Sequence, residues 1–185
     1  DTLSGGAGFV RQAALLGDAL LKEALRLLGD CKENCDSSCY RCLRSYKNKF
    51  EHPRLDRYIG KSLLRYVLSG ELPSVEANRS RQLHEMLFVD LERQQVPDLA
   101  ISQGHVISVA GLGDINVPIL AETGKQKFVI NVNSSLTPGY SIDEKLRDLS
   151  EFGGVATVLP VDELTLRRNL PWVTSGILAK MGFTR

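Results

Sequence analysis

The strongest constraint on how this chain can fold is a group of four cysteines within twelve residues, in the segment CKENCDSSCYRC. These are Cys31, Cys35, Cys39 and Cys42, and no other position holds a cysteine. Zinc takes four thiolates in a closed tetrahedral shell, and two to four residues between ligands let one short segment wrap around the ion. The spacing therefore predicts a structural Zn²⁺ site made by all four thiolates.

Other interpretations of the cysteines stay open at this point. Two disulfides inside so short a loop would close small, strained rings, and the sequence shows neither a signal peptide nor further cysteines. The thiols could instead be redox-active or unpaired. His52, ten residues past Cys42, could replace one cysteine as a ligand, although we interpret it as a surface histidine before Pro53.

The composition indicates a globular chain, because 43% of its 185 residues are hydrophobic. No run approaches the eighteen or more apolar residues of a membrane span, and metal-bound thiols favour a reducing, cytoplasmic location. The chain starts at Asp1 without an initiator Met. We therefore expect it to be a piece of a longer protein.

Basic residues are concentrated just after the cysteines, although the net charge of the chain is only +1. Residues 41–65 carry eight cations and two acids, and Tyr40, Tyr46, Phe50 and Tyr58 interleave with them. Such a surface neutralises phosphates and stacks on bases. It predicts DNA contacts through Arg41, Arg44, Lys47, Lys49, Arg54 and Arg57. The alternative is that the aromatics build the small core of a metal module and that the charges are only solvated.

Hydrophobic periodicity and turn residues predict two domains, over residues 1–75 and 76–185. The first contains helices over about 9–28 and 54–68, with an apolar face on each that includes Leu16, Leu20, Leu27, Leu63 and Val67. The second reads as helix, three strands, helix and strand, over 79–94, 105–111, 115–122, 127–133, 141–152 and 155–160. The last two strands should be parallel neighbours in a βαβ unit. We expect Trp172 to anchor the final segment against a core.

The first seventy residues resemble the cysteine-rich domain of MrfA-type superfamily 2 DNA helicases and of related helicase-associated proteins in anti-phage systems such as DISARM. The resemblance rests on the opening DTLSGGAGF, a long helix, the four cysteines and the segment CYRCLRSYKNKFEHPRLDR. The positions of the family pattern are Cys39, Cys42, Leu43, Ser45, Tyr46, Asn48, His52, Leu55, Asp56 and Arg57.

This resemblance implies a zinc site on the four cysteines and a role in DNA repair or defence within an ATP-driven protein. The chain itself has no Walker A motif and no DEAH-type box. We therefore expect the helicase motor to precede Asp1, and this piece to contact DNA, the motor domains or partner subunits of the same system.

The second half resembles the PD-(D/E)xK restriction-endonuclease fold, whose core order is also αβββαβ. The fold class expected for the whole chain is thus α+β, a zinc-stapled helical module followed by an α/β module. In that family an aspartate on the second strand and an acid and a lysine on the third hold a divalent metal. The corresponding residues here are Asp114, Asn131 and Asn133, a degenerate set that argues against catalysis.

Three hypotheses follow from the sequence. The first is a zinc-binding accessory region of a helicase-like protein whose second module is inactive and carries no catalytic residue. The second is a metal-dependent DNase whose ligands include Asp114 and Glu122, with Glu85 and Glu122 compensating for the missing acids. The third is a scaffold that only binds other proteins.

Overall fold

The structure is a computed structural model that describes residues 8–124, 126–137, 143–152 and 154–183. It divides the chain into two compact units, Asp1–Pro73 and Ser74–Arg185. The division falls two residues before the predicted domain boundary. The opening DTLSGGA and the first two residues of the predicted helix 141–152 lie outside the described residues.

The first unit is helical around its cysteine loop. α1 (Phe9–Leu16) and α2 (Asp18–Gly29) occupy the span that was expected to be one helix. They are separate because Gly17 has φ +49° and ψ −126°, a conformation that glycine adopts without steric cost and that no helix contains. The cysteine loop follows, then a 3-10 helix (Tyr46–Arg54) and α3 (Arg57–Ser69).

Local signals fix both ends of α3. The Asp56 carboxylate accepts hydrogen bonds from the backbone N–H groups of Tyr58 and Ile59, at 3.0 and 3.2 Å, which caps the first turn. Gly70 ends the helix in the left-handed conformation, with φ +72°. The helix begins three residues later than expected because Arg54 still belongs to the 3-10 helix.

The apolar residues predicted to line one face of each of these helices are largely exposed. Leu16, Leu20, Leu27, Leu63 and Val67 keep between 42% and 57% of their surface exposed. No residue of α2 is buried. The buried polar groups of this unit are instead Ser38 and Arg57, beside the cysteines. The fully buried side chains among the described residues of this unit are therefore polar and lie beside the cysteine loop, whereas α2 and α3 pack on each other through half-buried side chains, with Leu28 against Gly60.

The second unit contains a four-stranded sheet in the order β1-β2-β3-β4. The first three strands are antiparallel neighbours, and β4 is parallel to β3. Its elements are α4 (Ala77–Arg93), β1 (Leu99–Val109), β2 (Gly113–Thr123), β3 (Lys127–Asn133), α5 (Glu144–Phe152), β4 (Thr157–Asp162), α6 (Glu163–Arg168) and α7 (Leu170–Lys180). The predicted α+β class is confirmed, and the order from α4 to β4 is αβββαβ.

Helices cover both faces of this sheet. Phe128 and Ile130 of β3 belong to a buried cluster with α4, α6 and α7, whereas Val129 belongs to a second cluster with Leu149 of α5. Successive residues of a strand point to opposite faces, so the two clusters lie on opposite sides of β3. The sheet is the middle layer of three.

The β1–β2 hairpin is bent near its centre. Gly104 of β1 has φ +63°. The paired positions on either side of Gly104 and Pro118 are Gln103 with Ile119 and His105 with Val117. Val117 belongs to the cluster on the α5 side, but Ile119 belongs to the cluster on the α4 side. Residues two apart on a regular strand share a face, so β2 turns over at Pro118.

Two helices after β4 were not predicted, although the sequence carries signals for both. The Asp162 carboxylate accepts from the Thr165 backbone N–H at 2.6 Å and caps α6. Asn169 caps α7 by accepting from the Trp172 backbone N–H at 3.3 Å, and Pro171 lies in the first turn. Trp172 is 64% exposed, so the expectation that it anchors a core is wrong.

Buried polar contacts hold α4 against the helices that follow the sheet. Arg79 Nε donates to Glu163 Oε2 at 3.1 Å, and both side chains are less than a tenth exposed. Thr174 Oγ1 donates to Asp90 Oδ2 at 2.6 Å. Charges buried this deeply are costly unless paired, so these contacts fix which helices pack together.

His84 links α4 to the sheet through both ring nitrogens. Nδ1 donates to the Ser80 carbonyl oxygen at 2.8 Å, and Nε2 accepts from the Val132 backbone N–H at 3.0 Å. Only the neutral ring can accept at Nε2, and burial lowers the pKa of His84. The folded unit therefore binds a proton at this site less readily than the unfolded chain does.

This linkage predicts how the stability of the second unit depends on pH. The contribution of neutral His84 is fully present above about pH 6.5, the ordinary histidine pKa, and is lost as the pH falls below it. Urea unfolding followed by Trp172 fluorescence should give a free energy of unfolding that falls from pH 7.5 to 5.5. The fall should be smaller in His84→Gln, whose amide oxygen can still accept from Val132. An equal fall in both proteins contradicts this assignment.

Candidate metal centre

The four cysteine sulfurs lie at the corners of a compact tetrahedron. The Sγ–Sγ distances are 3.8 Å for Cys31–Cys35, 3.6 Å for Cys31–Cys39, 3.7 Å for Cys35–Cys42 and 3.8 Å for Cys39–Cys42. A zinc ion with Zn–S bonds of about 2.3 Å requires tetrahedron edges of about 3.8 Å. All four thiols are free. The geometry fits one zinc ion.

The backbone around the last two cysteines forms the turn that holds them. The Cys39 backbone N–H donates to the Cys42 sulfur at 3.2 Å. The carbonyl oxygen of Cys39 accepts from the backbone N–H groups of Cys42, Leu43 and Arg44, at 3.1, 3.1 and 2.9 Å. Asn34, with φ +44°, makes the other tight turn, and asparagine tolerates this left-handed conformation better than most residues. Both turns bring sulfurs inward.

The thiols differ in acidity because they share one small volume. At Cys31, burial raises the pKa, but hydrogen bonds from the backbone of Cys35 and Glu33 and from neighbouring thiols bring it down to about 7. At Cys35, burial and hydrogen bonds with the other thiols raise the pKa to about 12. One thiolate forms readily and opposes the ionisation of its neighbours. A divalent cation at the centre removes the repulsion between the thiolates, since it deprotonates the thiols it binds.

Arg57 holds the cysteine loop in place through hydrogen bonds. The side chain is 4% exposed, and Nε donates to the carbonyl oxygen of Cys35 at 3.1 Å. Its terminal nitrogens donate to the Leu28 carbonyl oxygen at 3.2 Å, to Asn34 Oδ1 at 3.2 Å and to the Tyr58 hydroxyl at 2.6 Å. One guanidinium thus joins the end of α2, the loop and the start of α3.

His52 is not a ligand in this arrangement. Its Nε2 lies 3.0 Å from both the Ser45 carbonyl oxygen and Asn48 Oδ1, and its ring meets the Tyr40 ring edge-on at a centroid distance of 5.4 Å. Asn48 also donates from Nδ2 to the Leu43 carbonyl oxygen at 2.8 Å. These contacts attach the 3-10 helix to the residue that follows Cys42.

The six cations expected to contact DNA do not share one environment. Arg57 is buried and donates to four oxygen atoms within the unit, so it does not lie on the exposed surface with the other cations. Arg44 is half-buried and donates from Nε to Ser38 Oγ at 3.0 Å. Arg41 and Arg54 are exposed and pair with acids at 3.7 and 3.3 Å, contacts that contribute little at a surface. Lys47 and Lys49 are exposed.

The residues of the expected nuclease site are not assembled for metal binding. The Asp114 carboxylate accepts from Ser108 Oγ at 2.6 Å across the β1–β2 hairpin. Asn131 Nδ2 donates to Asn133 Oδ1 at 2.7 Å, and Asn133 is 6% exposed. Among the described residues, the four cysteines are the only group of three or more metal-ligating side chains close enough to hold an ion.

The proposed compensating acids also lie apart. Glu122 is eight residues from Asp114 along β2 and pairs with Lys127 Nζ at 2.7 Å. Eight residues of an extended strand span about 26 Å, and neither carboxylate belongs to a group of metal-ligating side chains among the described residues. Glu85 and Asn131 line an open cavity of about 780 Å³ between α4 and the sheet, whose lining does not include Asp114.

Comparison with known proteins agrees with the metal geometry. Residues 1–43 match the MrfA Zn-binding domain. The expected resemblance is confirmed for this segment, and the four cysteines form its structural zinc site. The chain is also 42% identical over 95 residues to Druantia protein DruE of Escherichia coli (strain UMEA 4076-1). That match covers 49% of this chain, which spans only 5% of the length of DruE.

No solved structure matches the chain. Nor does any helix among the described residues have the length and hydropathy needed to cross a membrane. The likeness of the second unit to restriction endonucleases stays a prediction.

Loss of one ligand should release the metal and unfold the first unit. Elemental analysis should find one zinc per wild-type chain and much less than one in Cys39→Ser, since a structural zinc contributes about 10–16 kcal/mol to folding. Lys32→Ser, a change at an exposed position in the same loop, should keep one zinc. Wild-type protein without stoichiometric metal, or with two disulfides by mass spectrometry, contradicts the site.

The hydrogen bonds of Arg57 predict that zinc can be lost faster without any change in the cysteine ligands. Arg57→Lys keeps the charge but cannot donate in so many directions, and hydrogen bonds of a charged group contribute about 1.5–3 kcal/mol each. The variant should release zinc to a chelator at least about tenfold faster, because losing one such bond already corresponds to that factor. Arg54→Lys is the matched control on the exposed side. Equal release rates in all three proteins contradict the role of Arg57.

Proposed function

We propose that this chain is a zinc-stapled accessory region of a helicase-like protein of anti-phage defence, acting in the cytoplasm. Its resemblance to MrfA-type helicases, the Zn-binding domain match and the similarity to Druantia protein DruE support this. The first unit contacts DNA, and the second serves as a non-catalytic scaffold. ATP hydrolysis belongs to a motor outside this chain.

The observation that carries the DNA contact is the exposed surface of the 3-10 helix and of the turn before it. We call this surface the knuckle rim, and it consists of Tyr40, Arg41, Tyr46, Lys47, Lys49, Phe50 and Arg54. It carries four cations, and the acids paired with Arg41 and Arg54 are themselves exposed. Exposed ion pairs exchange readily, so these arginines can move to a phosphate.

The zinc site gives this surface a fixed shape. The 3-10 helix is attached to Leu43, directly after Cys42, through Asn48 and His52. Cations held in place lose less conformational entropy on binding than cations on a flexible tail. The metal therefore acts on DNA only indirectly, by ordering the segment that makes the contact.

The exposed apolar faces of α1, α2 and α3 favour a protein partner as well. Val10, Leu15, Leu16, Leu20, Leu27, Leu63 and Val67 are each at least 42% exposed, and many exposed apolar side chains on one small unit are typical of surfaces that another protein covers. The long remainder of a DruE-like protein, or a partner subunit of the same defence system, is the occupant that we propose. The second unit has the same scaffold role, and no three His, Cys, Asp or Glu side chains among its described residues lie close enough together to hold an ion.

Salt dependence tests the DNA contact. Lys47→Gln with Lys49→Gln should weaken binding to all sequences alike, and the slope of log K against log [salt] should flatten by about 1.4 for single strands and about 1.8 for duplexes. Fluorescence anisotropy of labelled oligonucleotides between 50 and 200 mM salt, a range over which the Debye length falls by about half, measures both the affinity and the slope.

The control has the same change of net charge at exposed positions outside the knuckle rim, Lys22→Gln with Lys180→Gln. It should bind like the wild-type protein. If the knuckle-rim variant keeps its affinity and its slope, the DNA surface lies elsewhere or the chain binds only proteins.

A further inference from the structure

Three aromatic rings of the knuckle rim project into solvent. Tyr40 is 69% exposed, Tyr46 77% and Phe50 83%. The three lie within eleven residues of one another, directly after the third cysteine. Apolar side chains exposed singly are ordinary, but three large rings on one short segment indicate a surface that another molecule covers.

These rings do not build the small core of the metal module. That role belongs to Tyr58, whose hydroxyl accepts from Arg57 and whose ring lies 4.2 Å from the guanidinium carbon. The alternative that all four aromatics serve the interior of the module is therefore correct for Tyr58 and wrong for the other three.

Two of the exposed rings lie beside one lysine ammonium group. Lys49 Nζ lies 4.7 Å from the centroid of the Tyr46 ring and 5.0 Å from that of Phe50, so one ammonium group is flanked by two rings. Tyr40 is held edge-on by His52, which is itself fixed by Ser45 and Asn48. Aromatic rings and cations therefore lie together on the knuckle rim, which hydrogen bonds of Asn48 and His52 hold in place.

This combination selects between two forms of DNA. In a duplex the bases are already stacked on each other, so only phosphates and groove edges are accessible to such a surface. An unpaired strand offers the faces of its bases, and stacking on an aromatic side chain is favourable for every base. Exposed rings beside cations therefore add affinity only for unpaired strands.

We propose that the knuckle rim binds single-stranded DNA, with bases stacked on Tyr46 and Phe50 and with Lys47 and Lys49 on the phosphates. Tyr40 extends the same platform. This inference rests on the proposed DNA contact and adds the form of DNA that is bound. Since no base edge is read, the platform accepts any sequence.

The test compares the zinc-loaded 185-residue protein with Tyr46→Leu/Phe50→Leu. Leucine keeps an apolar side chain at two exposed positions and removes the aromatic face. Affinity for oligo(dT), measured by fluorescence anisotropy, should fall by about 5- to 150-fold per stacked base lost. Affinity for a duplex of the same length should not change, and neither should the salt slope, because no charge is removed.

Trp172→Leu is the matched control, since this exposed aromatic lies in the other unit. It should bind both forms of DNA like the wild-type protein. Zinc content and circular dichroism verify that each variant is folded.

Two other results overturn the inference, and they differ in what else they overturn. If the double leucine variant binds oligo(dT) as tightly as the wild-type protein while Lys47→Gln/Lys49→Gln weakens both forms, the DNA contact stands without stacking. If the wild-type protein binds neither form, the proposed DNA contact fails too, and the rings belong to a protein interface.

Discussion

Four thiols whose sulfurs all lie within 4.8 Å of one another cannot ionise together unless a cation lies between them. The rest of the first unit depends on this constraint, because no apolar side chain of its described helices is fully buried. Arg57 adds to it by donating to carbonyl oxygens at the end of α2 and inside the loop. Metal and guanidinium together compensate for the absence of fully buried apolar side chains in the described part of this short helical module.

The residues that form the zinc site were predictable from their spacing, since the chemistry of four thiolates leaves few alternatives. The role of Arg57 was not predictable. In a segment rich in lysine and arginine, the sequence alone does not distinguish a buried arginine from one that binds phosphate. The pattern Asp56-Arg57 at the start of a helix gave no signal that the side chain turns back toward the loop. Only the contacts with Leu28, Asn34 and Cys35 separate the two roles.

In the second unit the order of helices and strands from α4 to β4 followed from periodicity, and the parallel pairing of β3 and β4 followed from the helix between them. The helical end of the chain was missed because Pro171 and Trp172 were interpreted without their cap, Asn169. Likewise, alternation along β2 suggests one inner face for the whole strand. The turn at Pro118 divides that face between two clusters, a tertiary effect that the alternation alone does not contain.

The bend at Gly104 has a consequence for the association of this protein with itself. β1 is an outer strand of the described sheet, eleven residues long, and its sequence LAISQGHVISV contains no lysine, arginine, acid or proline. A straight outer strand of this kind offers a continuous row of unpaired backbone groups on which a second sheet could assemble. The left-handed residue at the middle interrupts that row, leaving two short stretches that point in different directions. A single glycine thereby protects the sheet from edge-to-edge aggregation where charged side chains do not.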